Sequence, residues 1–259
     1  AITKVQPHTL ILVPELLKGL VLACENGWQA PGSLLFIAVG GAKVAPALIV
    51  RARKLGLPVF QGYGLSEAGS VVSLAPRQSS AQSTDAASVG HVLDHVDYDI
   101  RDGELVINSP RFLGYLGEPT GEHAGHATGD LVHSNNGEIH ILGRKKNQLI
   151  LSNGRNVSPE WPESLLLSHS VISQAVVVGE GEAKLGALIY CAPQLHDAQL
   201  AALVAQSNEQ LPSYARIANY LRLHTPLTVA QGYLSANQRP KRDAINRGFA
   251  AAISQLFQE

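Results

Sequence analysis

From Gly129 to Glu163 the chain reads GDLVHSNNGEIHILGRKKNQLILSNGRNVSPEWPE, and few architectures can absorb such a run. Asn136-Gly137 is a two-residue turn signal, because the favoured hairpin turns need positive φ at their centre. The apolar residues on either side therefore read as paired strands, with Gly129-Asp130 at the start of the first. Three bases follow, Arg144, Lys145 and Lys146, then another strand and the Gly-rich turn Ser152–Asn156. Ser158-Pro159 starts a helix, with a small hydroxyl at the cap and proline at the first helical position. Such a stretch can bring a carboxylate, an arginine and a polar turn together around a junction between two folded units.

The residues before it alternate between two periods. Thr9 to Val13 reads as a short buried strand, and Pro14 opens an amphipathic helix stopped by Asn26-Gly27. Leu34 to Val39 is a second strand ending in Gly40-Gly41. Pro46 opens a second helix closed by Gly56 and Pro58, and Val59-Phe60 is a third strand. This alternation indicates an α/β unit with a parallel, doubly wound sheet. Sites in such sheets lie beyond the carboxyl ends of the strands, where Gly40-Gly41 and Gly62-Tyr63-Gly64 fall. Near Ser73 the composition changes, and Gln78 to Ser88 reads as a surface loop. A β pattern follows to Leu142, with Asp102-Gly103 as a further hairpin signal, so residues 74–143 read as a small β subdomain. Beyond a hinge at 144–147, residues 148–259 read as a smaller α+β domain. It has a helix from Pro159, strands near Ala175–Val178 and Ala187–Cys191, a helix around Ala198–Gln206, and a last helix from Arg242.

Bulk properties remove several function classes. The 259 residues carry a net charge of −1, which leaves no basic footprint for nucleic acid. Cys24 and Cys191 are too few for a disulfide framework or a cysteine zinc site, which suits a reducing cytoplasm. The apolar run Thr9–Cys24 is broken by Pro14, Glu15 and Lys18, so no transmembrane segment is expected, although peripheral membrane contact stays open. The pairs His91/His95 and His123/His126 have metal spacing but no readable third ligand, so a zinc site is rejected.

Several short motifs point to chemistry. Gln61-Gly62-Tyr63-Gly64-Leu65-Ser66-Glu67 is a Gly-rich turn after a strand, where backbone amides can approach an anion. Ser66 can donate to phosphate, Glu67 can ligate Mg²⁺, and Tyr63 offers a flat face for a purine. A carboxylate at Asp130 can accept both hydroxyls of a ribose. Taken one by one, these motifs read better as plain tight turns. Together, TyrGlyLeuSerGlu, GlyAsp, GlyArgLysLys and AsnGlyArgAsnValSerPro resemble the AMP-forming acyl-adenylate family, which includes the acyl-CoA synthetases. Ser66 stands where that family usually has threonine, keeping the hydroxyl.

The resemblance implies roles. Tyr63 stacks near adenine, Gly64 belongs to the same nucleotide-binding turn, Ser66 touches the α-phosphate, and Glu67 holds Mg²⁺. Asp130 and Arg144 bind ribose, and Lys146 is the hinge about which the C-terminal domain turns. Gly40-Gly41 lines the acyl pocket, and Gly154 leaves room for the pantetheine arm of coenzyme A. Arg111-Phe112-Leu113-Gly114-Tyr115 resembles a structural segment of the family. Leu234-Ser235-Ala236-Asn237-Gln238-Arg239-Pro240-Lys241-Arg242 resembles the loop that delivers a lysine during adenylation. Here Arg239 occupies the lysine position and Lys241 follows two residues later. Arginine is planar and bulkier than lysine, so Arg239, Lys241 or neither could serve.

The expected activity is ATP-dependent, AMP-forming activation of a small-molecule carboxylate, a fatty acid by the AsnGlyArgAsnValSerPro wording, and transfer to CoA. ATP/AMP, Mg²⁺ and CoA are the implied cofactors and co-substrates, and cytoplasmic localisation is expected. The family's Ser/Thr/Gly-rich phosphate loop ending Pro-Lys-Gly has no counterpart here. The resemblance therefore implies the C-terminal part of a longer enzyme, inactive in adenylation by itself. An enzyme that hands its acyl group to a carrier protein and a non-catalytic nucleotide-binding module are the alternatives.

Overall fold

A computed structural model describes residues 1–75, 85–109, 114–117 and 125–258. The chain divides into two compact units, 1–146 and 147–259.

The first unit begins with a one-turn helix α1 (Ile2–Val5) and strand β1 (Thr9–Leu12). Helix α2 (Pro14–Glu25) has proline in its first turn, where no amide partner is lost, and Gly27 turns the chain out at φ +91. Strand β2 (Phe36–Val39), helix α3 (Pro46–Lys54) and strand β3 (Val59–Tyr63) complete two parallel crossovers. Leu17 and Val21 of α2 and Leu48, Ile49 and Ala52 of α3 share one apolar cluster with Ile37, Val39 and Val59. Each large side chain buried in this way stabilises the unit by roughly 1.5–3 kcal/mol.

The β region is joined edge to edge to these strands. β3 runs on through Gly62 and Tyr63, which pair antiparallel with β4 (Ser73–Leu74). Tyr63 is therefore a strand residue and does not lie past the strand end, as the sequence suggested. The partner that extends β3 is only two residues long, too short to leave a pattern. β5 (His91–Val92), β6 (Asp97–Arg101), β7 (Glu104–Ser109), β8 (His126–Asn135) and β9 (Glu138–Arg144) complete one sheet in the order β1-β2-β3-β4-β5-β9-β8-β7-β6. Both expected hairpins form, with Asp102 and Asn136 in the left-handed region. Of the expected surface loop, residues 78–84 lie outside the described residues, as do Arg111, Phe112 and Leu113.

In the second unit a small ribbon, β10 (Leu149–Ile150) with β11 (Asn156–Val157), precedes helix α4 (Glu160–Leu167). Pro159 is the cap residue of α4 and no side-chain cap bond forms, so Ser158 is not the cap expected from sequence. It is buried instead. β12 (Ile172–Val178), β13 (Leu185–Cys191) and β14 (Ile217–Leu223) make a three-stranded sheet. On one face Ala175, Val177, Ala187 and Ile189 pack with α4 and with α5 (Asp197–Glu209). On the other, Val176, Val178 and Leu188 pack with α6 (Arg242–Gly248) and α7 (Ala250–Leu256). β14 was not foreseen: in IleAlaAsnTyrLeuArgLeu the polar Asn219 and Arg222 blur the alternation.

Candidate active site

Two irregularities of the first unit's sheet aim its chemically useful side chains. β8 and β9 hold one register from Asn135↔Glu138 to Val132↔Ile141, then shift so that Leu131 faces Gly143 and Asp130 faces Arg144. Leu142 is the extra residue, a β-bulge on β9. Were Leu142 instead paired in a regular ladder, Asp130 would face Gly143. Lys43 pins the bulge, its Nζ donating to the carbonyls of Ile141 (3.2 Å) and Leu142 (3.1 Å).

On the other side of β8, Glu104 faces Leu131 and Val106 faces Ala127, so Thr128, Gly129 and Asp130 stand opposite Leu105 alone. This second bulge is built from local bonds. Gly129 adopts φ +72, which a side chain would resist. Its amide donates to Glu104 Oε1 at 2.9 Å. Thr128 Oγ1 donates to the Leu105 carbonyl at 2.8 Å and accepts the Asp130 amide at 3.1 Å. Gly129-Asp130 thus sits inside a strand and not at its start, and the bulge is what turns the carboxylate.

Asp130, only 5 % exposed, is held on both carboxylate oxygens. Tyr63 Oη donates to Oδ2 at 2.6 Å, and Arg144 Nε forms an ion pair with Oδ1 at 2.9 Å. Arg144 Nη1 also donates to the Thr128 carbonyl at 2.8 Å. Burial raises the Tyr63 pKa well above its ordinary value, and the adjacent Asp130 charge raises it further. The phenol therefore stays a donor. Each carboxylate oxygen has a second lone pair, so an arrangement of this kind can still accept hydroxyl donors. Beside Lys146, Lys145 Nζ donates to Glu104 Oε2 at 2.9 Å. This bond, together with the Gly129 amide, holds the Glu104 carboxyl below the usual range.

Ser66, exposed, and Glu67, part-buried, lie in a single 3-10 turn, Ser66–Ala68, directly after β3. Tyr115 Oη donates to Glu67 Oε1 at 2.7 Å. That bond and the backbone lower the Glu67 pKa, and Arg144 adds a smaller pull. Among the described residues no group of three or more His, Cys, Asp or Glu is arranged to hold a metal. A Mg²⁺ carried by nucleotide phosphates needs only one or two protein carboxylates, and an ionised Glu67 fits that requirement.

The glycines have local reasons. A Cβ on Gly64 would lie 1.6 Å from the Ser70 carbonyl oxygen, so the chain's own return path demands glycine there. A Cβ on Gly40 would meet the Gly62 carbonyl at 2.9 Å, and Gly41 has φ +80. In the second unit, Gly154 has φ +76 with open space where a side chain would stand.

The structure thus brings Tyr63, Asp130 and Arg144 into direct contact, with Ser66 and Glu67 on the turn after β3. Gly154, Arg239 and Lys241 belong to the second unit, and Lys146 is the last residue of the first. Arg239 and Lys241 are exposed, on the returning leg and at the foot of a short hairpin closed by the Leu234–Pro240 bridge. Thr128, Glu104 and Lys43 were not foreseen. Thr128 adjoins the Gly-Asp pair and could have been read with it, whereas Glu104 and Lys43 act across long sequence separations.

Two family models match the chain. Residues 1–116 match the AMP-binding enzyme model, and residues 146–259 match the AMP-binding enzyme C-terminal domain. The chain belongs to the AMP-binding enzyme family. Its similar curated relatives include the 2-succinylbenzoate–CoA ligase of Bacillus subtilis (strain 168), 29% identical over 89% of this chain and 51% of the relative. The long-chain-fatty-acid–CoA ligase FadD15 of Mycobacterium tuberculosis (strain ATCC 25618 / H37Rv) is 28% identical over 84% of this chain and 41% of the relative. The chain therefore spans about half the length of the curated relatives it matches. The fold resembles that of the anthranilate CoA ligase AuaEII in complex with anthranoyl-AMP, at 18% identity and a TM-score of 0.79 over 97% of this chain and 52% of that one. It also resembles the Bacillus subtilis O-succinylbenzoate coenzyme A synthetase with AMP, at 24% identity and a TM-score of 0.74, covering 93% and 51%. No helix among the described residues is long and apolar enough to cross a membrane.

Proposed function

We propose that this AMP-binding family chain is the ribose- and Mg²⁺-binding part, with the C-terminal domain, of an ATP-dependent, AMP-forming carboxylate–CoA ligase. The contact of Tyr63, Asp130 and Arg144 carries the reading. Three residues distant in sequence meet around one buried carboxylate, on a strand bulged on both sides. Asp130 accepts the ribose hydroxyls, Arg144 and Tyr63 fix its orientation, and Ser66 donates to the α-phosphate. Glu67 is the carboxylate that holds the nucleotide's Mg²⁺, which supplies charge neutralisation on the phosphates.

The substrate carboxylate attacks the α-phosphorus, the bond to the pyrophosphate oxygen breaks, and an acyl-adenylate forms. Arg239 or Lys241 offsets the charge growing on the reacting oxygens. The CoA sulfur then attacks the acyl carbon and AMP leaves, with Gly154 beside the thiol arm and Lys146 as the pivot between the two steps. The finer substrate reading is a fatty acid, on the AsnGlyArgAsnValSerPro segment; relatives of similar identity are named for fatty acyl and for aryl substrates.

The test uses the intact protein with Mg-ATP and a panel of fatty and aryl carboxylates, with and without CoA, following pyrophosphate and AMP. CoA-dependent AMP formation with fatty acids is expected. Turnover confined to aryl acids would replace the fatty-acid reading. Pyrophosphate release indifferent to CoA would direct the acyl group to another acceptor, and a folded protein that releases none would end the ligase reading.

A further inference from the structure

Behind the Arg239 hairpin lies a buried ionic cluster that no step above uses. Arg242, the first residue of α6, follows Lys241 directly. Its Nη2 donates to Glu163 Oε2 at 2.8 Å, and its Nη1 to the Val177 carbonyl at 3.3 Å. Glu163, 6 % exposed on α4, accepts the Val177 amide on its other oxygen at 2.8 Å. Glu160, one turn earlier, places Oε1 3.5 Å from the same Nη2. The same Oε1 accepts Asn147 Nδ2 at 2.6 Å. Asn147 is the residue immediately after Lys146. Glu160 Oε2 is buried and has no hydrogen-bond partner among the described residues.

The hairpin above this cluster is stiff. Ser235 N–H donates to the Arg239 carbonyl at 2.8 Å, Arg239 N–H to Ser235 Oγ at 3.1 Å, and Lys241 N–H to the Tyr233 carbonyl at 2.8 Å. Leu234 plugs one leg into the apolar cluster beneath. The other leg is fixed by Arg242. A rigid tip is only as well placed as its two feet, and one foot is a guanidinium bonded to α4 and β12 at once.

We propose that Arg242, Glu163, Glu160 and Asn147 are positioning residues that set the Arg239–Lys241 hairpin relative to the first residue after Lys146. The inference rests on the ligase reading for its kinetic consequence, but not for its geometric one. Two carboxylates share one arginine, so removing its guanidinium would leave Glu163 and Glu160 without a counter-charge. Burial pushes the Glu163 carboxyl up, against the pull of Arg242. Lysine cannot replace Arg242, because one ammonium lacks the planar fork that reaches Glu163 and the Val177 carbonyl together.

The experiment compares Arg242→Lys, the milder Asn147→Ala and a control, Asp243→Ala, in the intact protein. Two readouts are taken: hydrogen exchange at the Arg239 and Lys241 amides, and the two half-reactions measured separately. Arg242→Lys is expected to speed exchange at those amides. It should also lower kcat for carboxylate-dependent ATP–pyrophosphate exchange by on the order of 10–100-fold, with KM for ATP nearly unchanged. Asn147→Ala should do the same in smaller measure, and the control neither. Unchanged exchange at the two amides in both variants would overturn the proposal. So would equal loss in both half-reactions tracking a general loss of stability. If the wild type adenylates no acid, the ligase reading fails, and faster amide exchange in Arg242→Lys alone still supports the positioning role.

Discussion

Tyr63 and Asp130 form the tightest polar contact in the first unit's candidate site, and its strength follows from what surrounds it. The hydroxyl is part-buried and donates to an ionised carboxylate, a pairing stronger than one between neutral groups. Tyr63→Phe should therefore cost about 1.5–3 kcal/mol of stability in urea unfolding near neutral pH. The pH dependence has a definite sign. A phenol whose pKa is raised on folding keeps its proton in the native state after the unfolded chain has lost it. Stability is then shed as pH rises past the ordinary tyrosine value of about 10. Urea midpoints taken from neutral to alkaline pH should fall in the wild type, and the fall should be shallower in Tyr63→Phe. The glycines divide by the same local logic. Gly64→Ala would force a methyl against the Ser70 carbonyl, with an expected loss above about 3 kcal/mol. Gly154→Ala meets open space and costs only its positive φ, about 1 kcal/mol. If Gly154 lies beside the CoA arm, KM for CoA should rise in that variant while pyrophosphate exchange stays constant.

At the scale of elements, the site depends on two bulges more than on any one strand. Arg144→Ala would leave both bulges in place and remove the ion pair that holds Asp130 Oδ1. AMP affinity by calorimetric titration should then fall on the order of 10–100-fold with the sheet intact. An unchanged affinity would remove Asp130–Arg144 from nucleotide binding. Here the legibility of the sequence has a physical boundary. The Asn136-Gly137 turn made the hairpin readable, and the Gly-Asp and Gly-Arg pairs on its arms made the site readable by resemblance. The β9 bulge was not readable, since Leu142 does not depart from ordinary strand composition, whereas the β8 bulge left Gly129 inside a strand as its one cue. β14 escaped for a related reason. It pairs parallel with β13 across a crossover containing α5, and its two polar residues break the alternation that marks a strand. Glu104 and Lys43 are fixed by tertiary contacts that no local window contains.

At the scale of the molecule, each unit carries its own apolar clusters. Leu17, Ile37 and Ile49, with Leu105 and Ile139, serve the first unit. Leu166, Ile172, Leu188 and Leu200 serve the second. Units with separate cores can unfold as separate cooperative steps, in which case a single unfolding free energy is not defined. Calorimetry of the chain should then show two transitions, and substitutions should assign them. Tyr63→Phe should lower one transition and leave the other in place, whereas Arg242→Lys should do the reverse. A Kd-dependent rise on adding AMP should appear in the transition that Tyr63→Phe lowers, because only a state that binds ligand is stabilised by it. If AMP instead raised only the transition sensitive to Arg242, the nucleotide would have to bind chiefly to the second unit. The ribose assignment to Asp130 would then fall, whatever the chain's family.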